Sequence, residues 1–289
     1  MRGLLIFIFL FCSLKSSFSQ NTYQGLLWEI YGNGLTDTSY LYGTMHIQDE
    51  RVFQFQEGVQ KAFDRSVIFA MELNMDSVNT LELMSELIME SPYRLDSLLS
   101  ENEYEIVNQY FKDSLGIGLL IFNKMQPIYT SQMVSLKKMN KDRAEALDIY
   151  LFNNAKEQNK IVVGLEFMEE QINAFKSIPY DIQAKELFNA VEDAINGEDQ
   201  QIDGLIEYYI KGDLDRLLAL TLESEFSDNE INTIFQKVFL VNRNHKMADR
   251  SEKYIKEGST FIAIGAAHLP GDEGVIENLR KKGYTVKAF

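Results

Sequence analysis

The sequence predicts an α/β protein, α+β-like in how its elements are segregated, with a central mixed sheet drawn from both chain ends and a large helical region inserted between them. Three observations carry that expectation. The two ends are alike: "SYLYGTMHI", "EGVQKAFDRS" and "VIFAMEL" near the start match "FIAIGAAHL", "GVIENLRKKG" and "YTVKAF" at the finish. Each set reads as strand, Gly-x-x-His loop, helix, strand. Between them, from about 76 to 256, amphipathic helical periods follow one another, broken by one β-branched run, "IVVGLE" at 161 to 166. Pro92, Pro127 and Pro179 mark breaks between those helices.

Taken in order, residues 1–19 read as a secretory signal. Met1 and Arg2 give the positive start, "LLIFIFLFC" the apolar middle, and Ser17-Phe18-Ser19 a small-x-small cleavage site before Gln20. The apolar run is too short for a bilayer, which needs about 20 residues. Bulky Phe11 ahead of Cys12 argues against a lipoprotein. Residues 20–289 are then expected to form one domain, exported to a periplasmic or extracellular compartment and not inserted in a membrane. "GLLWEIY" and "TSYLYGT" flank Gly32-Asn33-Gly34 as a hairpin. "FQEGVQKAF" is helical in period and "SVIFAMEL" is strand-like. Helices such as "NTLELMSELIME" and "AEALDIYLFNNAKEQ" fill the middle, and "STFIAIGA" returns to strand.

Removing the signal removes Cys12, the only cysteine, so the exported chain is held by its core and not by a disulfide. Formal charge is −15, and −17 once Arg2 and Lys15 are lost with the signal. Such a chain is a poor partner for nucleic acid or anionic membranes. Acidic faces such as "ENEYE" and "ESEFSDNE" read as solvated surface.

The chemistry is expected where the two units repeat. The chain has only three histidines, and two of them, His46 and His268, stand three residues after Gly43 and Gly265 at the exit of an apolar run. A strand-to-helix loop needs residues that tolerate tight backbone geometry, which glycine does. In open α/β sheets ligands settle outside the carboxyl ends of strands. Glu72 closes "VIFAME" and Glu166 closes "IVVGLE", positions where glutamate is poorly suited to a strand interior. Arg243 could pair with a site carboxylate or a substrate carbonyl. His245, in "NRNHKMADR", has no comparable context and reads as an ordinary helix residue. Two histidines with one or two carboxylates fit hydrolysis in two ways. A divalent metal could be held with positions open to water, or one histidine could act as general base while the other stabilises an oxyanion. No HExxH helix, Walker loop, dinucleotide fingerprint or Gly-x-Ser-x-Gly elbow is present.

In combination these segments resemble the TraB/GumN family, which includes the Tiki-type proteases and the pheromone-shutdown protein PrgY. The matching positions are Gly43 to His46, Glu72, Gly164 to Glu166 with Gln171, Arg243 with Asn244, and Gly265 to His268. The resemblance implies a metal-dependent hydrolase fold like that of erythromycin esterase and the haem-binding ChaN group. It implies His46, Glu72 and His268 as ligands of a divalent metal (manganese, cobalt or zinc), with Glu166 and Arg243 completing the catalytic pocket. A Tiki-like peptidase acting on a peptide or small-molecule substrate is the leading expectation. A module that sequesters a peptide or small hydrophobic signal, and haem binding through a histidine, are the alternatives.

Overall fold

The computed structural model describes residues 23–197, 201–223 and 229–289. The signal-like segment 1–19, with Cys12, and part of the acidic stretch "ESEFSDNE" lie outside the described residues. Six strands form one sheet: β1 (Leu27–Tyr31), β2 (Ser39–Thr44), β3 (Ile68–Leu73), β4 (Ile161–Glu166), β5 (Thr260–Gly265) and β6 (Thr285–Ala288). Their spatial order is β4-β3-β5-β2-β1-β6. β4, β3, β5 and β2 run parallel, whereas β1 is antiparallel to both β2 and β6. The sheet is therefore mixed, as the sequence predicts.

The strands that carry the two Gly-x-x-His motifs are direct neighbours. β2 pairs with β5 from Tyr40 opposite Phe261 to Thr44 opposite Gly265. Both, like β3, are buried on both faces, so their sequences are nearly continuous apolar runs. The edge strands differ: β4 exposes Ile161, and β6 alternates buried and open positions. From β2 the chain crosses β5 to reach β3, and from β5 it crosses β2 and β1 to reach β6. Leaving the carboxyl ends of two adjacent strands in opposite directions opens a crevice between them. This is a topological switch point, and it sets the place of the site.

The β1–β2 hairpin turns through Gly32, Asn33 and Gly34, all with positive φ (82°, 47° and 81°). The first helix is shorter than "FQEGVQKAF" suggests and spans Val59–Arg65. Gly58, at φ 91°, stops it from starting earlier, and a Cβ there would lie 2.1 Å from the Phe289 ring. The middle of the chain is helical, with β4 as its only strand among the described residues. Ser100 and Glu103 form a capping box on helix Glu101–Leu115, which ends at Gly116. Pro127 opens helix Pro127–Lys138 and Pro179 caps helix Tyr180–Asn196. These helices bury a cluster of their own around Leu95, Val107, Phe111, Leu119 and Leu187, separate from the core around the sheet. No helix among the described residues is long and apolar enough to cross a membrane.

Candidate active site

Four adjacent parallel strands deliver their carboxyl-end residues to one place. His46 lies two residues past β2, His268 three past β5, Glu72 is the penultimate residue of β3, and Glu166 ends β4. His46 Nε2 lies 3.7 Å and His268 Nε2 lies 3.9 Å from the same atom, Glu72 Oε1. The two imidazoles, some 220 positions apart in sequence, thus converge on one carboxylate.

Each ring is oriented by its other nitrogen. His268 Nδ1 lies 2.6 Å from Asn244 Oδ1, and Asn244 Nδ2 donates to the Glu273 carbonyl at 2.9 Å. A carbonyl can only accept, so the amide nitrogen is fixed there and the amide oxygen must face the ring. His268 therefore carries its proton on Nδ1, which leaves the Nε2 lone pair directed toward Glu72. Burial pushes the His268 pKa down to about 4, aided by the Arg243 and His46 charges, so the ring is neutral at ordinary pH. His46 Nδ1 is 3.1 Å from Asp148 Oδ2. Its position deep in the protein opposes a charge, but Asp148 and Glu72 outweigh this and raise its pKa well above the ordinary histidine value. About half of the His46 side chain stays open to water, from within the cavity.

Arg243 joins the two glutamates. Its Nε and Nη2 donate to the two oxygens of Glu166 at 2.8 and 2.6 Å, and Nη2 also donates to Glu72 Oε2 at 2.6 Å. Burial works against the charge of Glu72, yet the His46 ring and the Arg243 guanidinium hold its pKa well below the carboxylate range. Arg243 is raised in turn by Glu166 and Glu72 against its own burial. Gln171 Nε2 donates to Glu166 Oε2 at 3.1 Å. Glu166 is completely covered and lies behind Arg243, so it reaches the cavity through the guanidinium. A six-residue π-helix, Gln236–Val241, runs directly into helix Asn242–Glu257 and hands Arg243 to the site.

The glycines of the two motifs are required for space and not for the special backbone geometry the sequence suggests. Gly265 has φ −52°, and Gly43 lies in regular strand. A Cβ on Gly265 would lie 3.1 Å from Glu72 Oε1, and one on Gly43 would lie 3.0 Å from the Ala266 Cβ. Gly164 is similar, with the Asn74 backbone nitrogen 2.9 Å away.

These groups open into a cavity of about 540 Å³. His46, Glu72, Asp148, Arg243 and His268 form its polar end, and Met45, Met71, Met75, Phe175 and Phe239 line apolar walls. Nitrogen, nitrogen and carboxylate oxygen on Nδ1-anchored rings make a donor set that suits a divalent cation in kind. As the side chains stand, no three His, Cys, Asp or Glu among the described residues are gathered tightly enough to enclose one.

Asp148 is the site residue that sequence reasoning missed. It sits in the first turn of helix Leu147–Glu157, where acidic residues are common for reasons unrelated to chemistry. His245 is placed as expected, half-exposed on its helix and 2.6 Å from Glu273 at the surface.

Comparison with known proteins identifies the family of the chain. Residues 26–288 match the model of the TraB/PrgY/gumN family. The chain is similar to Metalloprotease TIKI1 of Danio rerio, 24% identical over 94% of this chain and 65% of that protein. It is also similar to Metalloprotease TIKI1 of Homo sapiens, 23% identical over 96% of this chain and 64% of that protein. An uncharacterised protein of Treponema pallidum is 21% identical over 90% of this chain and 81% of its own length. The chain spans slightly less than two thirds of the TIKI relatives. No solved structure matches it.

Proposed function

From a chain that belongs to the TraB/PrgY/gumN family, we propose a hydrolase that cleaves peptide bonds with the aid of a divalent cation held by His46, Glu72 and His268. The observation that carries this reading is the approach of both Nε2 atoms to Glu72 Oε1, at 3.7 and 3.9 Å, with each ring's Nδ1 already engaged by another side chain. A divalent cation bound there supplies Lewis acidity toward a carbonyl oxygen. The protein's own groups do the rest. Arg243 neutralises Glu166 and steadies Glu72. Asp148 and Asn244 fix the two rings. The apolar walls bind a side chain of the substrate. The signal-like residues 1–19 support a reaction outside the cytoplasm.

The test is metal content after dialysis against manganese, cobalt or zinc, measured by plasma mass spectrometry. The wild-type protein is expected to retain about one ion per chain, and His46→Ala/His268→Ala none. Unchanged content in the double variant removes the metal site from the reading. The apolar walls also favour a second reading, a module that sequesters a hydrophobic peptide or signal. Glu72→Gln separates the two: loss of peptide hydrolysis supports an enzyme, and undiminished ligand binding without any wild-type hydrolysis supports a binding module.

A further inference from the structure

A second cavity, of about 210 Å³, adjoins the first. The two share Leu240 and Ala267. Three elements line both, each with neighbouring residues. Helix Leu214–Glu223 turns Leu217 and Thr221 to the main cavity and Leu218 and Leu222, one position on, to the second. The π-helix and its continuation give Phe239 and Arg243 to the first, Val241 and Asn244 to the second, and Leu240 to both. The end of β5 and the loop after it give Gly265 and His268 to the first and Pro270 and Gly271 to the second, with Ala267 between them.

Leu240 and Ala267 are common to the lining of both cavities, and His268, which lines the first, follows Ala267 directly in the chain. Ala267 is one of the two unspecified positions in the second Gly-x-x-His motif, and its side chain is a single methyl group. Gly271, at φ 88°, lets the loop close on Leu218: a Cβ there would lie 3.5 Å from Leu218 Cδ2. Asn244 touches the second cavity while its Oδ1 holds His268 Nδ1. An occupant of the second cavity therefore rests against the residue that orients the ring.

We infer that the site takes an extended peptide with two apolar side chains, one in the main cavity and one in the second, so that the backbone between them passes Leu240 and Ala267 beside His268. This rests on the proposed function and deepens it by naming the substrate class. In hydrolysis, water adds its hydroxyl to the carbonyl carbon and a proton to the departing amide nitrogen, and the C–N bond between the two halves breaks. The second cavity suits a Leu-, Val- or Met-sized group against Leu218, Leu222, Leu240, Val241 and Pro270, with Gln236, Asn244, Asp272 and Glu273 also in its lining.

The experiment uses the full chain and a defined equimolar library of decapeptides, read by mass spectrometry in two arms: cleavage with metal added, and retention on the immobilised protein without it. Cleaved and retained peptides are expected to carry two apolar residues at a fixed spacing on either side of one position. Leu222→Asp and Leu218→Trp, the first charging the second cavity and the second filling it, should erase the preference at one of the two places at least fivefold and leave the other intact. Thermal melts confirm that both variants fold. A single-residue preference, or a two-residue preference unchanged in both variants, overturns the inference. Absence of cleavage by the wild-type protein counts against the peptidase reading alone, because retention still reports on both cavities. No selective retention in that case overturns the inference as well.

Discussion

Glu72 Oε1 accepts the backbone N–H of Gly265 at 2.7 Å, so the carboxylate that closes β3 is anchored by the first residue of the second Gly-x-x-His motif. The bond spans β3 and β5, which are adjacent in the sheet although 193 residues apart in sequence. It fixes the glutamate oxygen that both imidazoles approach. The glycine's missing side chain and its N–H thus serve the same atom.

Gly265→Ala is expected to lower activity far more than stability. The added methyl lies 3.1 Å from Glu72 Oε1 and 3.4 Å from His268 Cδ2, tight enough to displace both groups by a few tenths of an ångström. Overpacking of this size costs about 1 to 2 kcal/mol in stability. Misplacing groups at a reacting centre can cost on the order of 100-fold in rate. Thermal melts beside peptide-hydrolysis rates check it, and a variant that keeps full activity contradicts the spatial role assigned to this glycine.

Arg243→Met removes the one cation between Glu72 and Glu166, both buried. Breaking such an arrangement from one side leaves uncompensated charge and costs about 3 to 5 kcal/mol. Arg243→Lys should cost less but still be destabilising, because an ammonium cannot span both oxygens of Glu166 and reach Glu72 as well. Adding Glu166→Gln to Arg243→Met should recover part of the loss. Urea unfolding of the three variants measures all of these, and an unrecovered double variant would place the cost in packing and not in charge.

Much of this site is legible in the sequence, for physical reasons that differ between residues. His46 and His268 stand out because the same spacing recurs at two strand exits. Glu72 and Glu166 stand out because a charge at the end of an apolar strand needs a partner. Arg243 is readable only as a candidate for that partner, since nothing local fixes which carboxylate it meets. Asp148 carries no signal at all: an acid in the first turn of a helix is favoured by the helix dipole wherever it occurs. The π-helix at Gln236–Val241 is equally hidden, since π-helix is rare and occurs mostly as a single turn inside an α-helix. The strands themselves are legible, but the insertion of β5 between β3 and β2 depends on contacts between distant segments.

Glu170 should make acid stability depend on pH. It accepts from Arg250 Nη1 and Nη2 at 2.6 and 2.9 Å, from Lys246 at 2.9 Å and from the Phe167 backbone N–H at 3.0 Å. The Arg250 bonds, opposed by partial burial, lower its pKa from 4.5 to about 2. A depressed carboxylate stabilises the fold above its unfolded pKa, and that contribution is lost as pH falls from about 4.5 toward 2. After allowance for solvent screening at this partly open site, the amount is about 1 to 2 kcal/mol. The stability gap between wild type and Glu170→Gln should therefore be present at neutral pH and close on approach to the lower limit. Urea unfolding at several pH values reads it, and a gap that does not change with pH would show that the charge of Glu170 is not the source of the effect.

Asn244→Leu tests whether the amide sets the state of His268. The substitution keeps volume but removes the oxygen 2.6 Å from Nδ1 and the donor to the Glu273 carbonyl. Leaving the buried ring N–H without a partner costs about 1 to 3 kcal/mol, whereas the Glu273 carbonyl keeps a donor in Asn278 Nδ2 at 3.0 Å. The ring can recover part of this only by moving its proton to Nε2, toward Glu72 Oε1 at 3.9 Å. Nitrogen-15 NMR of histidine-labelled protein should then show Nδ1–H for His268 in the wild type and a growing Nε2–H population in Asn244→Leu. Divalent-metal affinity should fall about 10- to 100-fold in parallel, as it does when the partner of a ligating ring is lost. If the Nδ1–H signal persists unchanged in the variant, the tautomer is set by something other than Asn244, and the orientation argued for the Nε2 lone pair loses its basis.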